Sequence, residues 1–200
     1  MTDAAEFKLL GGAPCLDFAN TVDWRKGEPQ ERLGDAHALI DWAHQAGVLP
    51  DADAARLHEA AQRDPADAER LHRRALRLRE TIHRLFKASA DGVDPDERDL
   101  EHLNEELAQA LSHMKLTRSG PALTLQLHGD AAEKILWTLT HSAAQLLASP
   151  SLSRVKECSD PHCGWLYLDT SRSGTRRWCS MSDCGNRNKA RTHYRKRKAG

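Results

Sequence analysis

Apolar residues recur at spacings of three and four through most of the first 150 residues, a pattern typical of helices that bury one face. The strongest stripe follows Asp64-Pro65, a dipeptide that favours a helix start. Its apolar positions are Leu71, Ala75, Leu78, Ile82, Leu85 and Phe86. Further helices are predicted after Asp35, over residues 54–63, after Asp94-Pro95 with Leu100, Leu103, Leu107 and Leu111 inside, and after Asp130. The body of the protein is therefore predicted to be mostly helical.

The apolar period changes to two between residues 114 and 127. Residues 114–117 and 123–127 alternate, and turn-forming residues separate them, which predicts a β-hairpin. Nearer the N-terminus, residues 16–24 form a short predicted core segment with Leu16, Phe18, Val22 and Trp24 inside, followed by a polar loop. Ser149-Pro-Ser151 marks a predicted boundary between an N-terminal domain, 1–150, and a C-terminal module, 151–200.

The arginines on the strongest helix leave two interpretations open. They lie outside its apolar stripe, at Arg70, Arg73, Arg74, Arg77, Arg79 and Arg84. Such a set can form a surface for a ligand or a nucleic acid. It can equally be a solvated helix face among acidic neighbours, and the sequence does not choose between the two.

Charge is distributed unevenly although the chain is neutral overall. Residues 151–200 contain 12 Lys or Arg and 4 Asp or Glu, a net charge of +8, whereas residues 1–150 contain 17 and 25, a net charge of −8. This asymmetry is typical of a basic arm for a polyanion attached to an acidic body with another task. It also allows the two parts to attract each other.

Four of the five cysteines occur as two pairs, with the spacing C-x4-C-x15-C-x4-C. They are Cys158, Cys163, Cys179 and Cys184, whereas Cys15 is distant and predicted to be buried. Two close pairs can surround one tetrahedral Zn²⁺, and a module of about 45 residues needs the folding energy that a metal supplies. Because four thiolates leave no open coordination position, we predict one structural zinc ion. Disulfides are the alternative, and His162 is a less suitable ligand.

The segments around the cysteines predict a small finger. Residues 165–168 and 175–178 flank a turn and resemble a short hairpin over the metal, and a basic helix follows a cap at Ser182 or Asp183. The order knuckle, hairpin, knuckle, helix is that of a treble-clef finger. The predicted fold class is thus mainly α (α+β): a helical N-terminal domain with one β-hairpin, followed by a small treble-clef-like zinc finger.

The basic helix and the preceding segment supply the candidate nucleic-acid contacts. These are Arg176, Arg177, Asn186, Arg187, Lys189, Arg191, Arg195, Lys196, Arg197 and Lys198. On a helix, Arg187, Arg191, Arg195 and Lys198 share one face. Asn186 and Arg187 suit base edges, whereas the distal Lys and Arg suit phosphates.

Two motifs resemble known families. Cys184-Gly-Asn-Arg187 after a C-x4-C pair, with Cys158-x4-Cys163-Gly-Trp-Leu-Tyr-Leu-Asp before it, resembles the CGNR zinc finger. Leu16-Asp-Phe-Ala-Asn-Thr21 resembles the opening of the ABATE domain of stress-induced transcription regulators. The resemblance implies a DNA-binding finger whose ligands are the four paired cysteines, and a helical domain that senses a small-molecule effector or mediates homo-oligomer assembly.

The sequence favours a regulator over an enzyme. Nine of the 11 histidines lie in the body without an HExxH pattern, and no phosphate-binding glycine loop or GxSxG elbow is present. We therefore expect a zinc-dependent DNA-binding protein. The alternatives are an RNA-binding or ribosome-associated finger, with Trp165, Tyr167 and Trp178 stacking on bases, and a protein-interaction module. The sequence lacks an apolar run of about 20 residues and a secretory signal, so we expect a cytoplasmic location without membrane contact.

Overall fold

The computed structural model describes residues 6–198 and, of residue 196, the backbone only. Seven helices lie in this range: α1 (Pro14–Ala19), α2 (Ala36–Gln45), α3 (Asp51–Arg63), α4 (Pro65–Asp91), α5 (Glu97–Ser112), α6 (Ala131–Leu147) and α7 (Asn186–Lys198). Six short strands form three antiparallel pairs, β1 (Val22–Asp23) with β2 (Gln30–Glu31), β3 (Met114–Ser119) with β4 (Ala122–Leu127), and β5 (Val155–Glu157) with β6 (Leu166–Leu168). The mainly helical fold class is thus confirmed.

Helix α4 is the longest helix among the described residues and buries one apolar face in the core of the body. The predicted stripe is buried from Ala75 to Phe86, and Leu71 is half-buried at its edge. Asp64 caps the helix, since its side chain accepts a hydrogen bond from the backbone of Asp67, and Gly92 ends it in a left-handed conformation with φ 69°. Helices α1, α5 and α6 pack around it.

Two details of α5 differ from the sequence prediction. The helix is capped by Asp96 and not by Asp94, because the Asp96 side chain accepts a hydrogen bond from Arg98 N. Leu111 is half exposed, because the helix ends where the chain turns into the β3–β4 hairpin. The hairpin has the predicted alternation, but its face with Leu116, Leu123 and Leu125 points to solvent.

Each arginine in the set on α4 contacts a neighbouring side chain. The partners are Asp67 for Arg70, Glu69 for Arg73, Glu106 and Glu133 for Arg74, His102 for Arg77, Glu31 and Glu80 for Arg79, and Asp99 for Arg84. Acidic neighbours therefore pair with five of these six arginines, which favours the interpretation of a helix face among acidic neighbours.

The small C-terminal module shares the core of the body. Val155 on β5 and Leu166 on β6 are buried in the same apolar cluster as the helices. The sequence prediction for its hairpin was wrong in one respect, because β6 pairs with β5 and not with residues 175–178. Those residues are held instead by bonds such as Tyr167 OH to Arg176 O (2.7 Å) and Ser159 N to Arg177 O (2.9 Å).

Within the described residues, no helix is both long and apolar enough to cross a membrane.

Arg79 is a buried charge on which the packing around α1 depends. Its guanidinium donates to both carboxylate oxygens of Glu31 at 2.6 and 2.7 Å, to Glu80 at 2.9 Å and to Thr21 at 3.2 Å. Burial alone would raise the pKa of Glu80, but hydrogen bonds and charge from Arg25 and Arg79 lower it to about 2. Because this pKa is lower than that of Glu80 in the unfolded chain, ionised Glu80 stabilises the fold. This stabilisation is complete above about pH 4.5 and is lost as the pH falls towards 2.

We expect Arg79→Ala to lower the free energy of unfolding by about 3 kcal/mol, because it leaves Glu31 without its bidentate partner, whereas Glu80 keeps Arg25. Urea denaturation at pH 7 measures this loss. The control is Arg73→Ala on the same helix, whose exposed pair with Glu69 is worth less than about 1 kcal/mol. Equal losses in the two variants would contradict the structural role of Arg79.

Candidate zinc centre and basic helix

The four paired cysteines converge on one point. All four Sγ atoms lie within 4.8 Å of one another, with Cys163 and Cys179 at 3.7 Å and Cys179 and Cys184 at 3.5 Å. Tetrahedral Zn²⁺ with bonds of about 2.3 Å requires sulfur atoms about 3.8 Å apart, so the arrangement fits the ion. All four thiols are buried and unpaired by disulfides. The cysteines thus form a single structural zinc site.

Each cysteine pair is positioned by a tight turn. Cys158 directly follows β5 and donates its backbone N–H to Trp165 O at 2.8 Å, which closes the first knuckle. Gly164 follows Cys163 with φ 75°, and a side chain there would meet Arg25 Cβ at 2.8 Å. His162 lies against Gly27 of the body and is not one of the convergent ligands.

A π-helical turn, Met181–Gly185, carries the last ligand into the basic helix. Its cap is Ser180, whose hydroxyl accepts a hydrogen bond from Asp183 N at 3.2 Å, and not the predicted Ser182 or Asp183. The turn places Cys184 inside the metal site, and α7 begins two residues later. The orientation of the helix is therefore fixed by a metal ligand.

The four residues of the Cys-Gly-Asn-Arg motif have separate tasks. Cys184 is a ligand, and Gly185 leaves room for side chains, because a Cβ there would lie 2.6 Å from Met181 Sδ. The space beside Gly185 is thus filled by the side chains of Met181 and Trp178. Asn186 Nδ2 donates to Ser182 O at 3.2 Å, which ties the turn to the helix.

Arg187 connects the metal site, the finger and the body. Its Nη2 donates to Cys184 Sγ at 3.0 Å, its Nε lies 3.6 Å from Asp160 Oδ2, and its guanidinium stacks 4.2 Å from the ring centre of Trp24. The sequence analysis proposed this arginine as a nucleic-acid contact suited to base edges. In the structure it braces the knuckle through a thiolate and a carboxylate.

Asp160 gathers two cations of the basic helix. It is fully buried, and its Oδ1 accepts hydrogen bonds from Arg191 Nη1 at 3.2 Å and from His162 N at 3.1 Å. Together with Arg187, these contacts turn one face of α7 towards the finger. The face predicted to be shared by Arg187, Arg191, Arg195 and Lys198 therefore contacts the finger over its first two turns, through Arg187 and Arg191.

Arg176 is also used inside the finger. It stacks 4.4 Å from the ring centre of Tyr167 and donates to the carbonyl oxygens of Trp178 (2.8 Å) and Cys179. Nearby, Lys156 donates to Asp169 at 2.7 Å and lowers the pKa of that buried carboxyl. Burial raises the pKa of Tyr167 to about 12. The hydrogen bonds of Arg176 with the rest of the finger hold residues 175–178, which form no strand pair.

The remaining candidate contacts are exposed. They are Arg177, Asn186, Lys189, Arg195, Arg197 and Lys198. The side chain of Lys196 lies outside the described part of the chain. Helix α7 carries seven Lys or Arg and no Asp or Glu. Apart from the contacts with Asp160, none of the described α7 cations forms an ion pair.

The ion pairs between the acidic body and the basic finger use the minority charge of each part. Lysines of the body pair with acids of the finger: Lys8 with Asp183 at 3.0 Å, and both Lys26 and Lys87 with Glu157. In the described residues, no carboxylate of the acidic body pairs with α7. The docked finger therefore keeps its cationic helix uncovered.

Backbone contacts join the finger to the motif at the start of the body. Asn20 donates to Leu166 O at 2.7 Å and accepts from Leu166 N at 2.9 Å, as a neighbouring strand would. Trp165 Nε1 donates to Val22 O at 2.9 Å, and Cys163 O accepts from Arg25 N at 3.0 Å. The finger is thus built onto the body and not attached by a free linker.

The fold and the cysteine centre define a helical protein with a C-terminal zinc finger. A model of the ABATE family, described as "Putative stress-induced transcription regulator", matches residues 12–150, and a model of the CGNR zinc finger matches residues 154–197. The chain belongs to the ABATE family, since the match covers well over half of its 200 residues. Neither description names a catalytic activity, and no curated protein matches the chain.

Sequence reasoning missed three functional positions. Asn20 belongs to the quoted ABATE motif, which was the one available signal for it. Trp24 was predicted to be core, but it is half-buried at the contact with the finger and adopts φ 57°. Asp160 lies between two ligands as a turn-forming residue, and nothing in the sequence shows that α7 folds back onto it.

We expect Cys179→Ser to reduce bound zinc from about one ion per chain to nearly none, because three ligands hold the ion poorly. Its free energy of unfolding should fall as well, since the finger shares the core of the body. Metal analysis and urea denaturation measure the two effects. Cys15→Ala is the control and should keep its zinc, because Cys15 is buried far from the site. Full zinc content in Cys179→Ser would contradict the four-thiolate site.

We expect Arg187→Lys to weaken zinc affinity by about 10–100-fold although the charge is kept, because a lysine cannot both stack on Trp24 and reach Cys184 and Asp160. Competition with a chromogenic chelator measures this change. The control is Arg195→Lys, an exposed position on the same helix. Indistinguishable affinities in the two variants would remove Arg187 from the support of the metal site.

Proposed function

We propose that the protein is a transcription regulator that binds duplex DNA through α7 and the adjoining finger surface. The observation that carries this proposal is a helix of seven cations without an acid, begun by a metal ligand and left uncovered by the acidic body. A cationic helix on a rigid mount suits a polyanion, since its charges are positioned before contact.

The dimensions of the helix agree with a nucleic-acid groove. Its 13 residues span about 20 Å, and the major groove of B-DNA is about 12 Å wide. We assign phosphate contacts to the exposed cations Lys189, Arg195, Arg197 and Lys198, with Lys196 and Arg177 beside them. Asn186 is exposed at the first turn, where base edges are read in comparable docking modes.

Three of the predicted contact residues have a different role in this proposal. Arg176, Arg187 and Arg191 are positioning residues, because their guanidinium groups already contact groups inside the finger or on Trp24. They orient the helix that carries the contacts.

RNA binding is the weaker alternative. Trp165 and Tyr167 are buried, and Trp165 uses its indole N–H on Val22 O, so neither ring presents a free face for an unpaired base. Trp178 is half-buried under Arg177. Duplex DNA needs no such stacking platform.

A role in sensing or assembly is proposed for the body. The exposed leucines of the β3–β4 hairpin support homo-oligomer formation, since an apolar face of this kind is a common protein contact. Binding of a small-molecule effector is the other part of the proposal. A module that only binds proteins would explain the leucines but not the uncovered cationic helix.

We expect a variant with Lys189, Arg195, Arg197 and Lys198 all changed to Ala to lose most of its affinity for a random 25-base-pair duplex. The slope of log affinity against log salt should flatten by about three to four, because each phosphate contact contributes about 0.9. Fluorescence anisotropy at several salt concentrations measures both quantities.

The matched control removes four exposed arginines of the body, Arg56, Arg63, Arg70 and Arg73, and thus changes the net charge equally. It should bind DNA with the slope of the unaltered protein. Equal losses in the two variants would show a general charge effect and contradict the assignment to α7. Preference for single-stranded RNA in competition would favour the alternative, and selection from random duplexes, with and without chelator, would reveal any target site.

A further inference from the structure

A cavity of about 200 Å³ lies between the body and the finger. Its walls come from both parts, with Asp17 and Trp42 from the body and Trp165 and three zinc ligands from the finger. Apolar cavities of about 150 Å³ accept a benzene ring, so this volume can hold a ring-sized molecule with a small polar group. This junction is therefore a more suitable position for an effector site than the interior of the helical body, where the sequence analysis expected it.

The charges around the cavity favour a cation. Three cations line the cavity and each has a partner: Lys8 is paired with Asp183, Arg32 lies 3.9 Å from Asp23, and Arg187 is held by Trp24 and Cys184. The zinc site beyond the wall carries a net charge of −2, since four thiolates surround one Zn²⁺. An anionic ligand would meet this surplus of negative charge at close range.

Among the described side chains, two carboxylates that line this cavity form no ion pair, the exposed Glu6 and the half-buried Asp17. Asp17 accepts a hydrogen bond from Gly11 N at 2.7 Å, and no Lys, Arg or His side chain that the structure describes forms an ion pair with it. Burial raises its pKa to about 6, because the charged form is desolvated. A protonated amine in the cavity would supply the missing partner.

The aromatic walls suit the apolar part of such a ligand. Trp165 is fixed by its hydrogen bond to Val22 O and lines the cavity from the side of the finger. Trp42 is fully buried and lines the cavity from the side of the body. Aromatic faces also attract ammonium groups directly.

We propose that this cavity binds a small organic ammonium ion, a protonated amine with one ring-sized apolar group, whose charge pairs with Asp17. This deepens the sensing role proposed above and rests on it. Because both body and finger line the cavity, the ligand favours the docked arrangement and raises the stability of the whole molecule.

The test uses the full-length, zinc-loaded protein without DNA and three probes of one shape: 2-phenylethylamine, 2-phenylethanol and 3-phenylpropionate. We expect saturable quenching or enhancement of tryptophan fluorescence with the amine, at least about tenfold tighter than with either other probe. The amine should also raise Tm by a few degrees. Equal affinities for the three probes, or no saturable binding of the amine, would overturn the proposal.

Asp17→Asn should weaken amine binding about tenfold or more while zinc content is unchanged. Asp67→Asn, an exposed carboxylate on α4, is the matched control and should bind as the unaltered protein does. Unchanged affinity in a folded Asp17→Asn variant would overturn the assignment. If that variant fails to fold, the comparison of the three probes still decides. DNA binding is measured separately. A protein that binds DNA but no amine would contradict the amine site and leave the proposed DNA binding intact.

Discussion

The binding of one metal ion by four thiolates is the constraint on which the C-terminal half of the structure depends. The finger has two short strands and no apolar cluster of its own beyond the residues packed around the sulfurs. The ion fixes the distance between two turns that are 15 residues apart in the chain. Because Cys184 lies two residues before α7, the same constraint aims the cationic helix. Metal binding, folding of the finger and orientation of the helix are therefore one event.

Contacts beyond the ligands extend this constraint into the body. Arg187 shares its guanidinium among a thiolate of the metal site, a buried carboxylate of the finger and an indole of the body. Trp24 meets it from a left-handed backbone conformation, which costs on the order of 1 kcal/mol and persists only where surrounding contacts hold it. The ABATE motif contributes at the same junction, since Asn20 pairs with β6 and Asp17 faces the cavity. These contacts join the first helix of the body directly to the finger.

The division of charge also has a structural explanation. The acidic body does not neutralise α7, because its interface with the finger uses lysines against acids and its own arginines are paired internally. A basic helix that folded onto the body would lose its attraction for a polyanion. The observed docking keeps the two charges apart while joining the two parts firmly. This arrangement is what the proposed function requires.

The sequence by itself determined the features that depend on short spacings. Helix positions, the β3–β4 hairpin and the four ligands follow from apolar periods, capping residues and cysteine pairs, because those properties are local. Only the tertiary structure decided that β6 pairs with β5, that Asp160 turns Arg187 and Arg191 inward, and that a cavity separates Asp17 from the finger. These features join residues up to 170 positions apart, and their partners depend on how whole elements pack. The spacing of residues along the chain does not show which distant elements will pack together.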